Sequence, residues 1–150
     1  MDRKFMQRAL ELAELSAKEG EIPVGAVVVK DGKIIGEGRN MRESKGSALS
    51  HAEIEAISQA NLTLKDWRLE GCEMYVTLEP CVMCTGAIIN SRISTLVFGA
   101  YDLERGCVDS RANLFSLNLG VKTEIYGGIM EEPCKELLEN FFRDLRNKDL

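Results

Sequence analysis

Apolar positions recur three or four residues apart over residues 2–19, at Phe5, Met6, Ala9, Leu10, Ala13 and Ala17, which predicts an amphipathic helix ending at Gly20. Strand-like runs follow at 24–30 and 33–38, and Asp31-Gly32 between them is the dipeptide that a tight hairpin requires. Residues 38–46 form a polar loop with Asn40, Arg42 and Lys45. Ser50 is the predicted N-cap of a helix over 51–60 that turns Ile54 and Ile57 to the core. A connection over 62–71 should cover the core with Trp67 and Leu69. The β-branched, aromatic and apolar run 73–78 predicts a strand, 86–90 a helix, 95–100 a strand buried on both faces, and 121–126 a last strand. The 20 residues 101–120, with a short helix near 112–115, are too long for a hairpin and suit a crossover to a parallel strand. A helix over 131–146 closes the chain, with Cys134, Leu137, Leu138, Phe141, Phe142 and Leu145 on its apolar side. This order predicts an α/β fold, a three-layer α/β/α sandwich around a five-stranded mixed sheet, in a single domain spanning 1–150, with any site along one edge of the sheet between helices.

Chemistry concentrates at Leu78-Glu79-Pro80-Cys81-Val82-Met83-Cys84, where the third strand turns into a helix. Pro80 suits a first helical position because its missing N–H would have had no partner there, which puts Cys81 and Cys84 in the first turn, on one face. The positive end of the helix dipole favours thiolates, the form that binds metal. Two cysteines do not complete a zinc shell, and the single histidine, His51, is the candidate third ligand. It stands in Ser50-His51-Ala52-Glu53, and H-x-E followed by P-C-x-x-C is a zinc-deaminase signature. Residues two apart on a regular helix point to opposite sides, so His51 and Glu53 converge only around a helix end. The site is therefore expected where two helix N-termini meet. Three ligands leave one zinc position open for water, as catalytic sites do, and Glu53 is placed as the catalytic proton carrier. A fourth ligand from Cys72, Cys107 or Cys134 would instead make a closed structural site and leave Glu53 without a role.

Composition narrows the classes. With 150 residues, 45% of them apolar, the chain is long enough for a real core. The start lacks a signal-peptide pattern and no stretch approaches the roughly 20 apolar residues of a membrane span, so a cytoplasmic protein is expected. Five cysteines then argue for metal and burial over disulfides, with Cys72, Cys107 and Cys134 as packing residues. A net charge of −5 opposes a broad nucleic-acid surface and leaves room for a local basic patch.

Over nearly its whole length the sequence resembles the bacterial tRNA adenosine deaminases of the cytidine deaminase-like superfamily. The resemblance lies in Glu21-Ile22-Pro23-Val24-Gly25-Ala26-Val27, Gly36-Glu37-Gly38-Arg39-Asn40, His51-Ala52-Glu53-Ile54, Tyr75 through Cys84, Phe98-Gly99-Ala100 and Phe141-Phe142-Arg143. It implies a cytidine deaminase-like fold, one zinc per chain, a homodimer, and hydrolysis of the anticodon wobble adenosine of tRNA to inosine. By the same resemblance Asn40 and Asp102 contact the target nucleotide, Glu53 shuttles the proton, and the terminal helix around Phe142 and Arg143 holds flanking RNA. Departures fall at 47–50, 107–109 and 117–122, segments that line the RNA groove in relatives, so they bear on substrate choice and leave the deamination chemistry untouched. A deaminase of a free base or nucleoside (guanine, cytosine or a modified purine) and a non-catalytic zinc-stabilised partner subunit are the two competing expectations.

Overall fold

The computed structural model describes residues 1–148. Its elements are α1 (Arg3–Lys18), β1 (Gly25–Lys30), β2 (Lys33–Arg39), α2 (Arg42–Lys45), α3 (Ala52–Leu64), β3 (Glu73–Leu78), α4 (Val82–Asn90), β4 (Thr95–Ala100), a 3₁₀ turn (Leu114–Ser116), β5 (Glu124–Tyr126) and α5 (Glu131–Lys148). The sheet has five strands in the order β2-β1-β3-β4-β5. β1 runs antiparallel to both β2 and β3, whereas β3, β4 and β5 are mutually parallel neighbours, so the mixed sheet is as expected.

Period-two alternation along the strands makes the three layers. Ala26, Val28, Met74, Val76, Leu96 and Phe98 pack against Ala52, Ala56, Ile57 and Ala60 of α3 and Ile88 of α4. Their alternates Val27, Val29, Tyr75 and Val97 pack against Phe5, Met6, Ala9 and Leu10 of α1 and Cys134 of α5. β1, β3 and β4 are thus buried on both faces, which explains their nearly continuous apolar sequence. The layers approach closely where the sequence omits side chains. A Cβ at Gly38 would run into the backbone of Ala52 and Ala56, and one at Gly36 into that of Ala56 and Ala60. β2 therefore lies directly beneath α3.

Several local expectations are corrected. Residues 42–45, read as loop, form a single helical turn closed by Gly46 in the left-handed conformation. β5 covers only 124–126 because it is an edge strand with three paired residues against β4. Leu69 is fully buried, but Trp67 stays half exposed, its ring flanked by the guanidinium groups of Arg68 at 4.7 Å and Arg92 at 5.6 Å. Only the first half of α5 packs on the sheet: Cys134 is buried and Leu137 and Leu138 partly so, while Phe142 and Leu145 are exposed. Among the described residues no helix is long and apolar enough to cross a membrane.

Candidate metal centre and catalytic cleft

The site lies at the carboxyl end of the central strand β3, not along a sheet edge, because α4 starts directly beyond β3 and the first turn of α3 abuts the same end. His51 is the N-cap of α3, with extended backbone, and Cys81 is the N-cap of α4. The α3 cap thus stands one residue later than expected and the α4 cap two. Ser50 is displaced from the cap position, buried, and donates its hydroxyl to Glu55 Oε1 at 3.0 Å. Pro80 precedes the cap, so Cys81 lies outside the helix and only Cys84 is in its first turn. A residue outside the helix and one inside it can face the same point, which is how both the Cys81–Cys84 and the His51–Glu53 pairs converge.

His51 Nδ1 is 3.6 Å from Cys81 Sγ and 3.5 Å from Cys84 Sγ, and the three candidate ligand atoms all lie within 4.8 Å of one another. Zinc bonds of about 2.3 Å to sulfur and 2.0–2.1 Å to nitrogen, at tetrahedral angles, separate such atoms by roughly 3.6 Å. The ligand set therefore fits one zinc ion in both spacing and chemistry. Hydrogen bonds from Cys84 and His51 outweigh burial and hold the Cys81 thiol down at about 3. Cys84, beside Cys81 and buried, is pushed up instead, and the Cys81 contact raises the His51 imidazole. Among the described residues no fourth side chain joins the cluster. Cys72 and Cys134 are buried in the two cores, and Cys107 lines the cleft outside the cluster.

Glu53, in the first turn of α3, is buried and reaches the Cys84 side chain. Desolvation is the main cause that lifts its carboxyl to about 7. A carboxyl poised there can hold a proton and release it near neutral pH.

A cleft of about 1050 Å³ opens over these residues. Asn40 and Asp102 stand in its walls and Phe142 at its rim. Asn40 is already engaged, donating from Nδ2 to Ile22 O at 3.1 Å and accepting at Oδ1 from Arg42 N at 3.2 Å. Asp102 Oδ1 accepts from the backbone N–H groups of Glu104 and Arg105. Arg143 is not brought to the cleft. It is exposed and donates to Asn140 Oδ1 at 2.6 Å, because Phe142 occupies the helix face turned to the site.

Two buried carboxylates escaped the sequence reading. Glu79, 2% exposed, accepts from the backbone N–H groups of Asp102, Val108, Asp109 and Ser110 and from the Ser110 hydroxyl. Gly106 lies so close that a Cβ there would strike this carboxylate. Glu21, 1% exposed, accepts from the N–H groups of Glu43 at 3.0 Å and Ser44 at 2.7 Å and from the Ser44 hydroxyl at 2.6 Å. Burial alone would raise both acids, but these donors prevail and hold both below the ordinary carboxylate value. One anchors the connection after β4 and the other anchors α2, so each fixes a wall of the cleft. Their partners lie 22 to 31 residues away in sequence, which no local spacing reveals.

Comparison with known proteins follows the same lines. The family model of the cytidine and deoxycytidylate deaminase zinc-binding region matches residues 1–100. The tRNA-specific adenosine deaminase of Bacillus subtilis is 42% identical over 148 residues, covering 98% of this chain and 92% of that protein. The tRNA-specific adenosine deaminase of Haemophilus influenzae is 43% identical, covering 98% of this chain and 86% of that one. A solved structure from work on A-to-I editing by tRNA:A34 deaminases superposes with a TM-score of 0.88 at 38% identity, covering 91% of this chain and all of that chain. A guanine deaminase from Nitrosomonas europaea superposes at 0.83 with 25% identity, covering 94% and 84%. The motif, the three-ligand centre and these likenesses agree: the chain belongs to the zinc-binding cytidine and deoxycytidylate deaminase family, among the tRNA-specific adenosine deaminases.

Proposed function

We propose that this deaminase converts the wobble adenosine of a tRNA anticodon to inosine, consuming one water and releasing one ammonia. The observation that carries the reading is the cleft. It is open to solvent and about 1050 Å³ in volume, so a base can enter it while the chain on either side of that base runs out along its walls. The near-full-length likeness to tRNA-specific enzymes supports the same substrate.

His51, Cys81 and Cys84 hold zinc, which supplies a Lewis acid that makes water nucleophilic near neutral pH. Glu53 takes the proton that the attacking water loses and delivers it to the ring nitrogen next to the amine-bearing carbon. It then takes the remaining proton from the hydroxyl group added to the carbon and hands it to the amine, which leaves as ammonia as the C–N bond breaks and the carbonyl forms. Burial suits Glu53 to both transfers, because a carboxyl lifted to about 7 binds and yields protons with little bias. A non-catalytic partner subunit would have no use for such a group. Asn40 and Asp102 hold the target nucleotide from the cleft walls, and Phe142 offers a ring for a flanking base to stack upon.

The enzyme acts in the cytoplasm as a homodimer on this reading. Light scattering on the purified protein tests it. Substrate is tested by ammonia release from an adenosine-wobble stem-loop alongside free adenosine, cytidine, cytosine and guanine. Turnover of the stem-loop alone is expected. Turnover of guanine alone would place the activity with the Nitrosomonas relative instead.

A further inference from the structure

The net charge of −5 conceals how the cations are distributed around the site. Three arginines line the cleft: Arg42 from the connection after β2, and Arg105 and Arg111 from the connection after β4. In the order β2-β1-β3-β4 these connections leave the sheet on either side of the central strand that carries Cys81, so cations border the site from both sides. Among the described residues, neither Arg105 nor Arg111 has a carboxylate within 4 Å, and Arg42 has only Glu43 at 3.8 Å. The nearby acids are otherwise occupied: Asp102 by two backbone N–H groups, Glu79 by five donors, and Glu53 buried beside Cys84. Glu104 in the cleft lining and Glu43 beside Arg42 are the acids left to compete. The arginines are also displayed from fixed backbone. Glu79 pins 102–110, the Arg111 N–H donates to Gly106 O at 2.8 Å, and Glu21 pins the turn that follows Arg42.

We propose that Arg42 on one bank and Arg105 and Arg111 on the other bind the phosphates on the two sides of the target nucleotide. This rests on the RNA reading above and adds which residues grip the backbone. Guanidinium groups suit the task, because they pair phosphate oxygens two at a time and stay charged at any working pH. Arg105 and Arg111 give up no ion pair when phosphate arrives, and Arg42 gives up only its 3.8 Å approach to Glu43. The target base is thereby held by its own backbone over Glu53, and a free nucleoside forgoes that grip.

The test measures binding of an inosine-wobble stem-loop to the zinc-loaded protein by fluorescence anisotropy between 50 and 200 mM salt, with turnover of the adenosine stem-loop in parallel. For single-stranded RNA each lost phosphate contact removes about 0.7 from the slope of log affinity against log salt, a roughly 2.6-fold smaller loss over that range. Arg105→Gln and Arg111→Gln should each show that change, and the double variant about twice it in slope. KM should rise while kcat stays within about twofold. Arg68→Gln, on the far surface beside Trp67, is the control and should leave the slope alone. Unchanged slopes in the cleft variants, or an equal change in Arg68→Gln, overturn the proposal while stem-loop turnover by the unaltered protein keeps the RNA reading. An unaltered protein that turns over no stem-loop removes both.

Discussion

Gly36 and Gly38 sit on the same face of β2, one beneath the middle of α3 and the other beneath its first turn, so they separate stability from function within one helix. Replacing Gly38 by alanine places a methyl group against the backbone of Ala52 and Ala56. Backbone cannot swing aside as a side chain can, so α3 must lift or tilt. Overpacking of this kind costs about 1–3 kcal/mol, and the smaller unfolded-state entropy of alanine returns about 0.4–1. A net loss of roughly 1–2 kcal/mol should lower the melting temperature by about 2–8 °C in a chain of this size. Gly36→Ala meets the same kind of obstacle at Ala56 and Ala60, one turn further from the metal, and should cost a similar amount. The two should differ in zinc binding, since Ala52 lies between His51 and Glu53. Gly38→Ala is expected to weaken zinc by about tenfold, in the range for disturbed ligand supports, and Gly36→Ala by much less. Thermal unfolding gives the first quantity and titration against a chromophoric chelator the second. Equal zinc affinities in the two variants, or an unchanged melting temperature in Gly38→Ala, would refute the account of how α3 is seated.

Glu53→Gln should keep one zinc per chain by elemental analysis and lose about 10²–10⁴ in kcat on the stem-loop, the usual worth of a positioned proton carrier; retained activity would remove Glu53 from the mechanism. Stripping zinc with a chelator should abolish turnover and lower the melting temperature, and added zinc should restore both. Glu79 has a folded carboxyl held below its unfolded value, so its contribution is present above about pH 4.3 and is lost as pH falls through the depressed folded value. Urea midpoints should therefore show Glu79→Gln less stable than the unaltered protein at pH 7 and the gap narrowing by pH 3; a constant gap would mean that charge is irrelevant there. Cys107→Ala should leave zinc stoichiometry at one, because Cys107 stands outside the ligand cluster; loss of zinc would make it a fourth ligand.

The zinc centre was legible because its ligands come in short local pairs, H-x-E and C-x-x-C, whose spacing survives any choice of helix boundary. The boundaries themselves were less legible. Ser50 and Pro80 have strong local preferences for the starts of helices, yet His51 and Cys81 take the caps, where their side chains can turn toward one another. The layer order followed from strand alternation, and the crossover over 101–120 from its length. Trp67 failed as a core residue because aromatic character alone does not distinguish burial from stacking against Arg68 and Arg92. Glu21 and Glu79 were invisible as wall anchors, since most of their partners are main-chain donors, which carry no sequence signature, and the one serine hydroxyl on each lies far away in the chain.

That last feature bears on how such a fold changes its task. Glu79 reads its loop through four peptide N–H groups and one hydroxyl, and the close contact at Gly106 is the main demand on side-chain size. Beyond Gly106, the turn-forming Asp102, the core residue Val108 and the hydroxyl of Ser110, residues between 102 and 111 can change while the backbone is clasped as before. The connection therefore behaves as an interchangeable cassette hung from the residue two before Cys81. Substrate preference can drift by point changes in the cassette while the metal ligands and the proton carrier, mounted on helix starts, stay in register. Grafting 102–111 from a relative with a different substrate, with Glu79 left in place, is the shortest route from this chain to a deaminase of altered choice.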